Sequence, residues 1–386
     1  MRGHANFLAA AFSLTALSYG LARFAYGLQL PYIRDDLVLN AAAAGWIGGG
    51  AFAAYCVGIA IALVFEMPMG ERRIAGLAGL TATLGMGLVS ISQTVWQLGL
   101  AVALAGLSTG LTSPPLAVAV SGSLDEGNRP RANGVINSGT AAGIILSGVA
   151  VLAFPGGWRE LYTVFATIGA VVTVWLWFAM PTTTATKANA YGTWSIKHMV
   201  RKGAGRLCIS AFLAGSASTA VWTFGANLMR DELGFSDSSI AWAWIALGMG
   251  GSVGAATGLL TDYLGIRFAH RLSVSCMALS LLGLVGATVF TPIGFPVMGL
   301  FGVAYIVATG TLLMWGIVLY ADRPALGLGI PFLVLALGQT AGAPLFGAVL
   351  DYAGSATALI SFAAIMASAA LWSAAPGRAG TETRSE

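Results

Sequence analysis

The sequence predicts an all-α integral membrane protein in which twelve transmembrane helices form two pseudo-symmetric six-helix bundles. Of the 386 residues, 57% are hydrophobic and 9% are charged, whereas soluble domains carry about 25% charged residues. Twelve apolar runs recur along the chain, each about 20 residues or longer and able to cross a bilayer as a helix. The second half repeats features of the first at an offset of about 198 residues, which indicates an internal duplication.

Short polar gaps separate the predicted helices. The helices are predicted at about 5–33, 43–65, 73–92, 95–120, 131–154, 158–180, 206–229, 239–261, 270–290, 295–320, 324–350 and 355–375. One gap, 181–205, is long and carries four basic residues, Lys187, Lys197, Arg201 and Lys202. We therefore predict an N-terminal bundle over residues 1–180, a linker over 181–205 and a C-terminal bundle over 206–386.

Loop charge predicts the orientation of these helices. Fifteen lysines and arginines fall on the side that holds both termini and the linker, three fall on the other side, and Arg23 lies within a helix. Because lysine and arginine concentrate in cytoplasmic loops, we expect both termini and the linker to be cytoplasmic. Most tryptophans agree, since they fall near helix ends. Trp244 is assigned to an outer boundary, and only Trp222 is expected deep within a helix.

Composition and spacing exclude several function classes. The formal charge of +4 comes from basic residues in gaps between apolar runs, so it does not predict nucleic-acid binding. The cysteines lie far apart, without the spacing of zinc or redox sites: Cys56, Cys208 and Cys276. The histidines are all assigned to termini or cytoplasmic gaps: His4, His198 and His270. We therefore expect no metal site, no cofactor and no enzymatic activity.

Arg23 is the leading candidate functional residue because it is the only charge in the first predicted helix. A charged side chain at bilayer depth costs about 2.5–3.5 kcal/mol on the biological insertion scale, so it usually lines a pathway or has a partner. Helical spacing places Tyr19 and Tyr26 on the same face as Arg23. We expect this face to bind an anion. The alternative is that Arg23 extends toward the membrane surface or bonds helix carbonyls.

The duplicated features differ between the halves at one point. RFAYGLQL, which begins at Arg23, aligns with VWTFGANL, which begins at Val221 and includes Trp222. Each is followed by a short acidic segment, Arg34-Asp-Asp-Leu in the first half and Arg230-Asp-Glu-Leu in the second. We therefore expect a cavity between the halves that is cationic on one wall only, with Trp222 on the opposite wall.

The segment after the eighth predicted helix, GLLTDYLGIR, runs from Gly258 to Arg267. It resembles the G-x-x-x-D-[RY]-x-G-x-R loop of the major facilitator superfamily. In this reading Gly258 and Gly265 permit close helix packing, Asp262 meets a helix N-terminus, and Arg267 meets an acidic group, so that the loop latches one conformation. The corresponding segment 65–73 keeps a glycine and two arginines but lacks the aspartate. Glu66 is the candidate replacement.

The resemblance to this superfamily covers essentially the whole chain: the helix number, the linker, the repeat and the Gly157-Trp158-Arg159 entry to the sixth helix. ARFAYGLQLPYI also resembles a poorly characterised bacterial branch with Ala-Arg-Phe in its first helix. The resemblance implies alternating access, with helices 1, 4, 7 and 10 lining a cavity and helices 5 and 11 beside it. The further substrate-binding candidates on these helices are Asn137, Trp222, Asn227, Tyr305 and Gln339. For the amides, contact between helices explains their position as well as substrate contact does.

The sequence therefore predicts a secondary transporter that moves a small organic anion, such as a carboxylate, across a bacterial inner membrane as a monomer. All fifteen acidic residues are placed toward helix ends, and no buried histidine is expected. Without a buried group that titrates near neutral pH, we expect anion exchange or uniport. Two alternatives remain: efflux of amphipathic drugs or metabolites, and a membrane receptor that does not transport.

Overall fold

The computed structural model describes residues 2–155, 157–181, 201–254 and 257–374. These residues are almost entirely helical and contain no β-strand. Ten of their helices are long and apolar enough to cross a membrane, and a bent pair, Asp237–Gly254 with Thr257–Leu264, makes an eleventh. The longest helix, Pro324–Ala369, comprises two, because Gly354 has a φ of 79° and a ψ of 171°. The predicted architecture of twelve helices is confirmed.

The helices are numbered 1 to 12 in chain order. Helix 1 comprises Arg2–Thr15, Ala16–Phe24 and Ala25–Leu37, and helix 7 comprises Ala204–Trp222 and Gly225–Asp231. Helix 8 is the bent pair, and helices 11 and 12 are the parts of Pro324–Ala369 before and after Gly354. The others are Ala41–Met69 (helix 2), Glu71–Ser90 (helix 3), Val95–Ser123 (helix 4), Arg129–Ala153 (helix 5), Trp158–Ala179 (helix 6), Ile266–Gly286 (helix 9) and Gly294–Leu319 (helix 10).

Helices 1 to 6 and helices 7 to 12 form two bundles that meet along three helix pairs. Helix 2 packs against helix 11, helix 5 against helix 8, and the last part of helix 1 against helix 7. A Cβ on Gly27 would lie 1.9 Å from the carbonyl oxygen of Trp222, and one on Gly45 would lie 2.4 Å from that of Ala343. Any side chain larger than hydrogen would push the bundles apart at these points, so the contact depends on glycine.

Helix 1 contains a π-helical segment, Ala16–Phe24, that carries Tyr19 and Arg23. Short π-helical segments interrupt α-helices rarely and often at functional sites. Gly20 lies against Gly143 of helix 5, where a Cβ on Gly20 would be 2.2 Å from the Gly143 carbonyl carbon. The wider π-helical turns fit against helix 5 because neither glycine has a side chain.

The turn between helices 8 and 9 is shorter than the sequence predicts. Residues 262–264, which lie beyond the predicted end of the eighth helix, are helical, and Gly265 alone turns the chain with a φ of 75°. Helix 9 therefore begins at Ile266, and the predicted start at residue 270 is wrong. As a result His270 lies one turn inside helix 9 and is 0% exposed. Its predicted place in a cytoplasmic gap is wrong too.

Most of the predicted 181–205 linker, including Lys187 and Lys197, lies outside the described residues. The C-terminal residues 375–386 and the side chain of Glu66 also lie outside them. The division of the chain at 181–205 and the part given to Glu66 therefore stay predictions.

Candidate functional site

Arg23 lies where the two bundles meet and is 6% exposed. Its Nη2 donates a hydrogen bond of 2.6 Å to Oε1 of Gln339 on helix 11. Its Nε is buried and has no hydrogen-bond partner among the described residues. Within the described part of the chain, no aspartate or glutamate forms an ion pair with Arg23. The centre of the protein therefore holds a buried positive charge whose hydrogen-bond partner is neutral.

Aromatic rings surround this guanidinium group. Its central carbon lies 4.6 Å from the ring centroid of Tyr55, 4.7 Å from Phe52, 4.9 Å from Phe24 and 5.9 Å from Tyr19. Each such contact is worth about 0.5–2 kcal/mol, so the rings offset part of the cost of burial without neutralising the charge. Phe52 and Tyr55 lie on helix 2 and were missed from the sequence. Their spacing of three residues, which places both rings on one helix face, is the signal that could have found them.

Gln339 connects Arg23 to the C-terminal bundle. The side chain of Gln339 is 0% exposed. While its Oε1 accepts from Arg23, its Nε2 donates to the hydroxyl oxygens of Tyr305 on helix 10 and Ser218 on helix 7, both at 3.3 Å. Two of the predicted candidates, Gln339 and Tyr305, are thus joined to Arg23 in one hydrogen-bonded chain across the bundle interface.

Trp222 forms the centre of an aromatic cluster beside this chain. Its ring stacks on Phe24 with centroids 4.0 Å apart, and it makes edge contacts with Tyr305 at 4.9 Å and Phe301 at 5.8 Å. Trp244 is a fourth neighbour at 6.3 Å and is 0% exposed. Its assignment to an outer boundary stays a prediction. The indole N–H groups of Trp222 and Trp244 are both buried, and neither has an acceptor in the described part of the chain.

Tyr19 and Tyr26, which helical spacing placed on one face with Arg23, point to different neighbours. The Tyr19 hydroxyl lies 2.9 Å from Oγ of Ser113 on helix 4, and its ring is part of the Arg23 cage. The Tyr26 hydroxyl donates to the backbone carbonyl of Ala44 on helix 2 at 3.0 Å. The structure therefore brings Tyr19 to Arg23 and directs Tyr26 into the contact between helices 1 and 2.

Asn227 joins a set of ion pairs near the ends of helices 1 and 7. Arg34 Nη1 donates to Asn227 Oδ1 at 2.8 Å and lies 3.8 Å from Asp231. Arg230 donates to both carboxylate oxygens of Asp35, at 2.7 and 3.1 Å. Each acidic segment of the repeat thus pairs with the arginine of the other. We call Arg34, Asp35, Asn227, Arg230 and Asp231 the seal. Among the described residues, every ion pair between the two bundles lies in the seal.

A carboxylate from the C-terminal bundle also holds the start of helix 2, close to the seal. The Asp351 oxygens accept hydrogen bonds from the backbone N–H groups of Ala41 at 3.0 Å and Ala42 at 2.7 Å. A carboxylate at this position is favourable because the first N–H groups of a helix lack partners and carry partial positive charge. Helices 2 and 11 are therefore held together at the end of the molecule that carries the seal.

Asn137 is exposed on helix 5. It has no hydrogen bond to another described residue and is not brought to Arg23.

The predicted latch lies at the opposite end of the bundles. Asp262 is exposed there and makes no hydrogen bond or ion pair with a described residue. Nε of Arg267 is buried and has no hydrogen-bond partner among the described residues. Gly258 has open space where a Cβ would be, while Gly265 makes the turn. In this conformation the motif forms no latch among the described residues, and its role stays a prediction.

His270 forms a second polar cluster inside the C-terminal bundle. Its Nε2 lies 2.7 Å from Oγ of Ser210 on helix 7, and its Nδ1 lies 3.1 Å from Oγ1 of Thr311 on helix 10. Ser210 precedes Ser218 by eight residues, which places the two about 12 Å apart along helix 7. The prediction that no histidine is buried is therefore wrong, although this histidine is remote from Arg23.

Comparison with known proteins identifies relatives of the whole fold. A family model described as Major Facilitator Superfamily matches residues 12–330. The uncharacterized transporter YgaY of Escherichia coli O157:H7 is 31% identical over 160 residues, and this match covers only 39% of either protein.

Among solved structures, the nucleoside transporter NupG covers 96% of this chain and 98% of its own at 14% identity, with a TM-score of 0.75. A D-xylose-proton symporter covers 95% of this chain and 96% of its own at 16% identity, with a TM-score of 0.76. A bacterial homologue of the human lysosomal transporter Spinster, in an inward-facing and occupied conformation, covers 96% of both chains at 14% identity, with a TM-score of 0.75. At these identities the structures show a shared fold.

Proposed function

The chain belongs to the major facilitator superfamily of secondary transporters, and on this premise we propose that it carries a small organic anion by alternating access. The observation that supports an anion is the buried Arg23, whose described hydrogen-bond partner is the neutral Gln339. A buried charge without a counter-charge is costly, and inside a membrane it usually marks a ligand pathway. A substrate carboxylate would supply the missing charge.

Efflux of amphipathic compounds is the second candidate, and the aromatic cluster around Trp222 supports it. The two candidates differ in the charge of the cargo. A cationic drug would meet Arg23 with no carboxylate beside it among the described residues, so like-charge repulsion disfavours it. The anion proposal therefore accounts for Arg23, which the efflux proposal leaves without a role.

The test is a thermal-shift screen of purified protein against carboxylates, amines and neutral drugs, because a bound ligand stabilises the fold. Carboxylates should raise the melting temperature of the wild type and not of Arg23→Lys, since lysine keeps the charge but cannot form two parallel hydrogen bonds to a carboxylate. Arg206→Lys, the same change at an exposed position, should respond like the wild type. Stabilisation by amines alone, or a normal response of Arg23→Lys, would overturn the proposal.

We further propose that the seal faces the outside of the cell and that both termini are cytoplasmic, from the distribution of loop charge. The conformation described here is then closed toward the outside. Single cysteines at positions 35 and 186, in a chain whose native cysteines are replaced, test this orientation. An impermeant maleimide applied to whole cells should label position 35 and leave position 186 unlabelled. Labelling of position 186 would reverse the topology.

The proposed coupling is exchange or uniport. No described carboxylate contacts Arg23, so no acid at the site can pass a proton to the substrate. His270 is the buried group that could titrate, but its contacts lie about 12 Å along helix 7 from Ser218. Because Gln339 and four rings already contact the guanidinium, the carrier also has favourable contacts for Arg23 without substrate. This supports uniport as well as exchange.

Counterflow in proteoliposomes should therefore exceed accumulation driven by an imposed pH gradient. Strong proton-driven accumulation of a fully ionised anion, without stimulation from the opposite side, would contradict this coupling. Loss of that accumulation in His270→Gln would then assign the proton to His270.

A further inference from the structure

The hydrogen bond between Arg23 and Gln339 uses only one of the two adjacent donors of the guanidinium group, Nη2 and not Nε. These two donors are called the fork. In a guanidinium group, the Nε and Nη2 hydrogens point in parallel, and together they match the two oxygens of a carboxylate. Gln339 offers one oxygen, which accepts a hydrogen bond from Nη2, while the adjacent Nε is buried without an acceptor from any described residue. A carboxylate that displaced the Gln339 oxygen would satisfy both.

The aromatic cluster that adjoins Arg23 through Phe24 contains two further donors without acceptors among the described residues. The indole N–H groups of Trp222 and Trp244 are buried without partners, and an indole nitrogen can donate but not accept. A ligand that suits these groups brings hydrogen-bond acceptors and needs few acceptors from the protein. A polyhydroxylated ligand, in which every hydroxyl also donates, does not match them.

The number of cations limits the charge of the ligand. Arg23 is the one cation with a described contact to the central cluster, while Arg34 and Arg230 are paired with carboxylates in the seal. A second negative charge on the ligand would be buried without a partner, which is strongly unfavourable. A monoanion is therefore favoured over a dicarboxylate or a phosphate ester.

The walls next to the fork are aromatic. Phe24 connects the two parts of the site, because its ring contacts the guanidinium at 4.9 Å and stacks on Trp222 at 4.0 Å. Tyr305 contacts both Trp222, through its ring, and Gln339, through its hydroxyl. A planar ring attached to a carboxylate held by Arg23 would meet these faces in the stacked or edge geometry that aromatic pairs prefer.

We propose that the substrate is a planar aromatic monocarboxylate whose carboxylate binds Nε and Nη2 of Arg23 in place of Gln339, with its ring against Phe24, Trp222 and Tyr305. This inference rests on the proposed anion transport and specifies its cargo. It names a class of compound, and benzoate is its simplest member.

Binding of radiolabelled benzoate to the purified full-length protein tests the proposal, with unlabelled compounds as competitors. Cyclohexanecarboxylate has the same charge and a similar size but no aromatic face, and it should compete about tenfold more weakly than benzoate. Phthalate, which adds a second carboxylate, and benzamide, which has no charge, should compete more weakly still. Equal competition by cyclohexanecarboxylate, or tighter binding of phthalate, would overturn the aromatic monocarboxylate assignment.

Two variants separate the ring contact from the charge contact. Trp222→Leu should weaken benzoate binding about tenfold and leave cyclohexanecarboxylate nearly unchanged, so that the preference for an aromatic ring disappears. Trp242→Leu, the same change at an exposed tryptophan, should keep that preference. If Trp222→Leu does not fold, as judged by its melting curve, Trp222→Phe replaces it and should retain most of the preference because it retains a ring. Retention of the full preference in Trp222→Leu would refute the ring contact.

The outcomes also distinguish this inference from the proposed function. If Arg23→Lys no longer binds any monocarboxylate but the wild type binds aromatic and non-aromatic monocarboxylates equally well, the anion function stands and the aromatic inference fails. If the folded wild type binds no monocarboxylate, both fail.

Discussion

The seal and the central site both lie where the two repeats meet, but they use the repeats differently. In the seal the same residue types come from each half, since Arg34 pairs with Asp231 and Arg230 pairs with Asp35. At the centre the two bundles supply different groups. The N-terminal bundle supplies the cation, Arg23, with the rings that surround it, and the C-terminal bundle supplies an amide and further aromatic rings.

This difference follows from what each region contacts. The seal joins two related segments to each other, so a motif with both a cation and an anion complements its own copy across the pseudo-two-fold axis. A substrate with one charged end and one apolar end has no such symmetry. A site that fits it must place a cation at the charged end and aromatic faces along the apolar end, so one cation, from one bundle, is enough. The three predictions below test this contrast.

The largest effect is expected from Gln339→Glu, which would supply the central site with its own anion. The new carboxylate should accept hydrogen bonds from both Nε and Nη2 of Arg23. Because hydrogen bonds to charged groups are worth about 1.5–3 kcal/mol, binding of a carboxylate should weaken roughly 10- to 150-fold. The melting temperature should rise at the same time, and both quantities can be measured on purified protein.

Gln97→Glu adds the same charge at an exposed position of helix 4 and serves as the control. It should change neither carboxylate binding nor the melting temperature. Normal carboxylate binding by Gln339→Glu would show that Gln339 does not stand in the place of the substrate carboxylate.

A smaller effect is expected from Gly27→Ala, which acts between the central site and the seal. The added Cβ would meet the Trp222 carbonyl oxygen at 1.9 Å, and overpacking of this kind typically costs about 1–3 kcal/mol. The bundles should separate at the sealed end, which would lower the melting temperature and expose a cysteine introduced at Thr223. Gly50→Ala has nothing within 4 Å of its new Cβ and should change neither. Equal behaviour of the two variants would contradict the close contact.

The smallest effect is expected from charge reversal in the seal, because partly exposed ion pairs contribute about 0–1 kcal/mol each. Arg230→Asp removes the attraction to Asp35 and adds a repulsion of similar size, so it should speed labelling of a cysteine at Thr223 by no more than about 30-fold. The double variant Asp35→Arg with Arg230→Asp should restore slow labelling, since it reverses the pair and keeps the attraction. Arg206→Asp is the control at an exposed site. A double variant that labels faster than Arg230→Asp would show that the pair does not hold the bundles together.

The sequence predicts the parts of this molecule that depend on local composition. Apolar runs define the twelve helices, because a segment that crosses a bilayer must satisfy its backbone internally. The isolation of Arg23 within such a run points to the central site. Gln339, Tyr305 and Trp222 are found because polar or aromatic residues in apolar helices are few.

The parts that the sequence does not predict depend on how the helices turn and where they end. Tyr26 and Asn227 belong to helix contacts and to the seal, since the neighbour that each side chain meets is set by packing between helices. The burial of His270 follows from a turn made by Gly265 alone. Phe52 and Tyr55 escaped notice because aromatic residues within membrane helices most often serve packing.

The π-helical segment of helix 1 has a consequence for how this helix divides its contacts. Each residue that a π-turn adds to an α-helix rotates everything after it by about 100° about the helix axis. The part before Ala16 packs against helices 5 and 6 of its own bundle, and the part after Phe24 packs against helix 7 of the other. The segment thus rotates the packing face of helix 1 about its axis. Before the segment this face contacts the helix's own bundle, and after it the face contacts the other bundle. Arg23 lies where the rotation occurs.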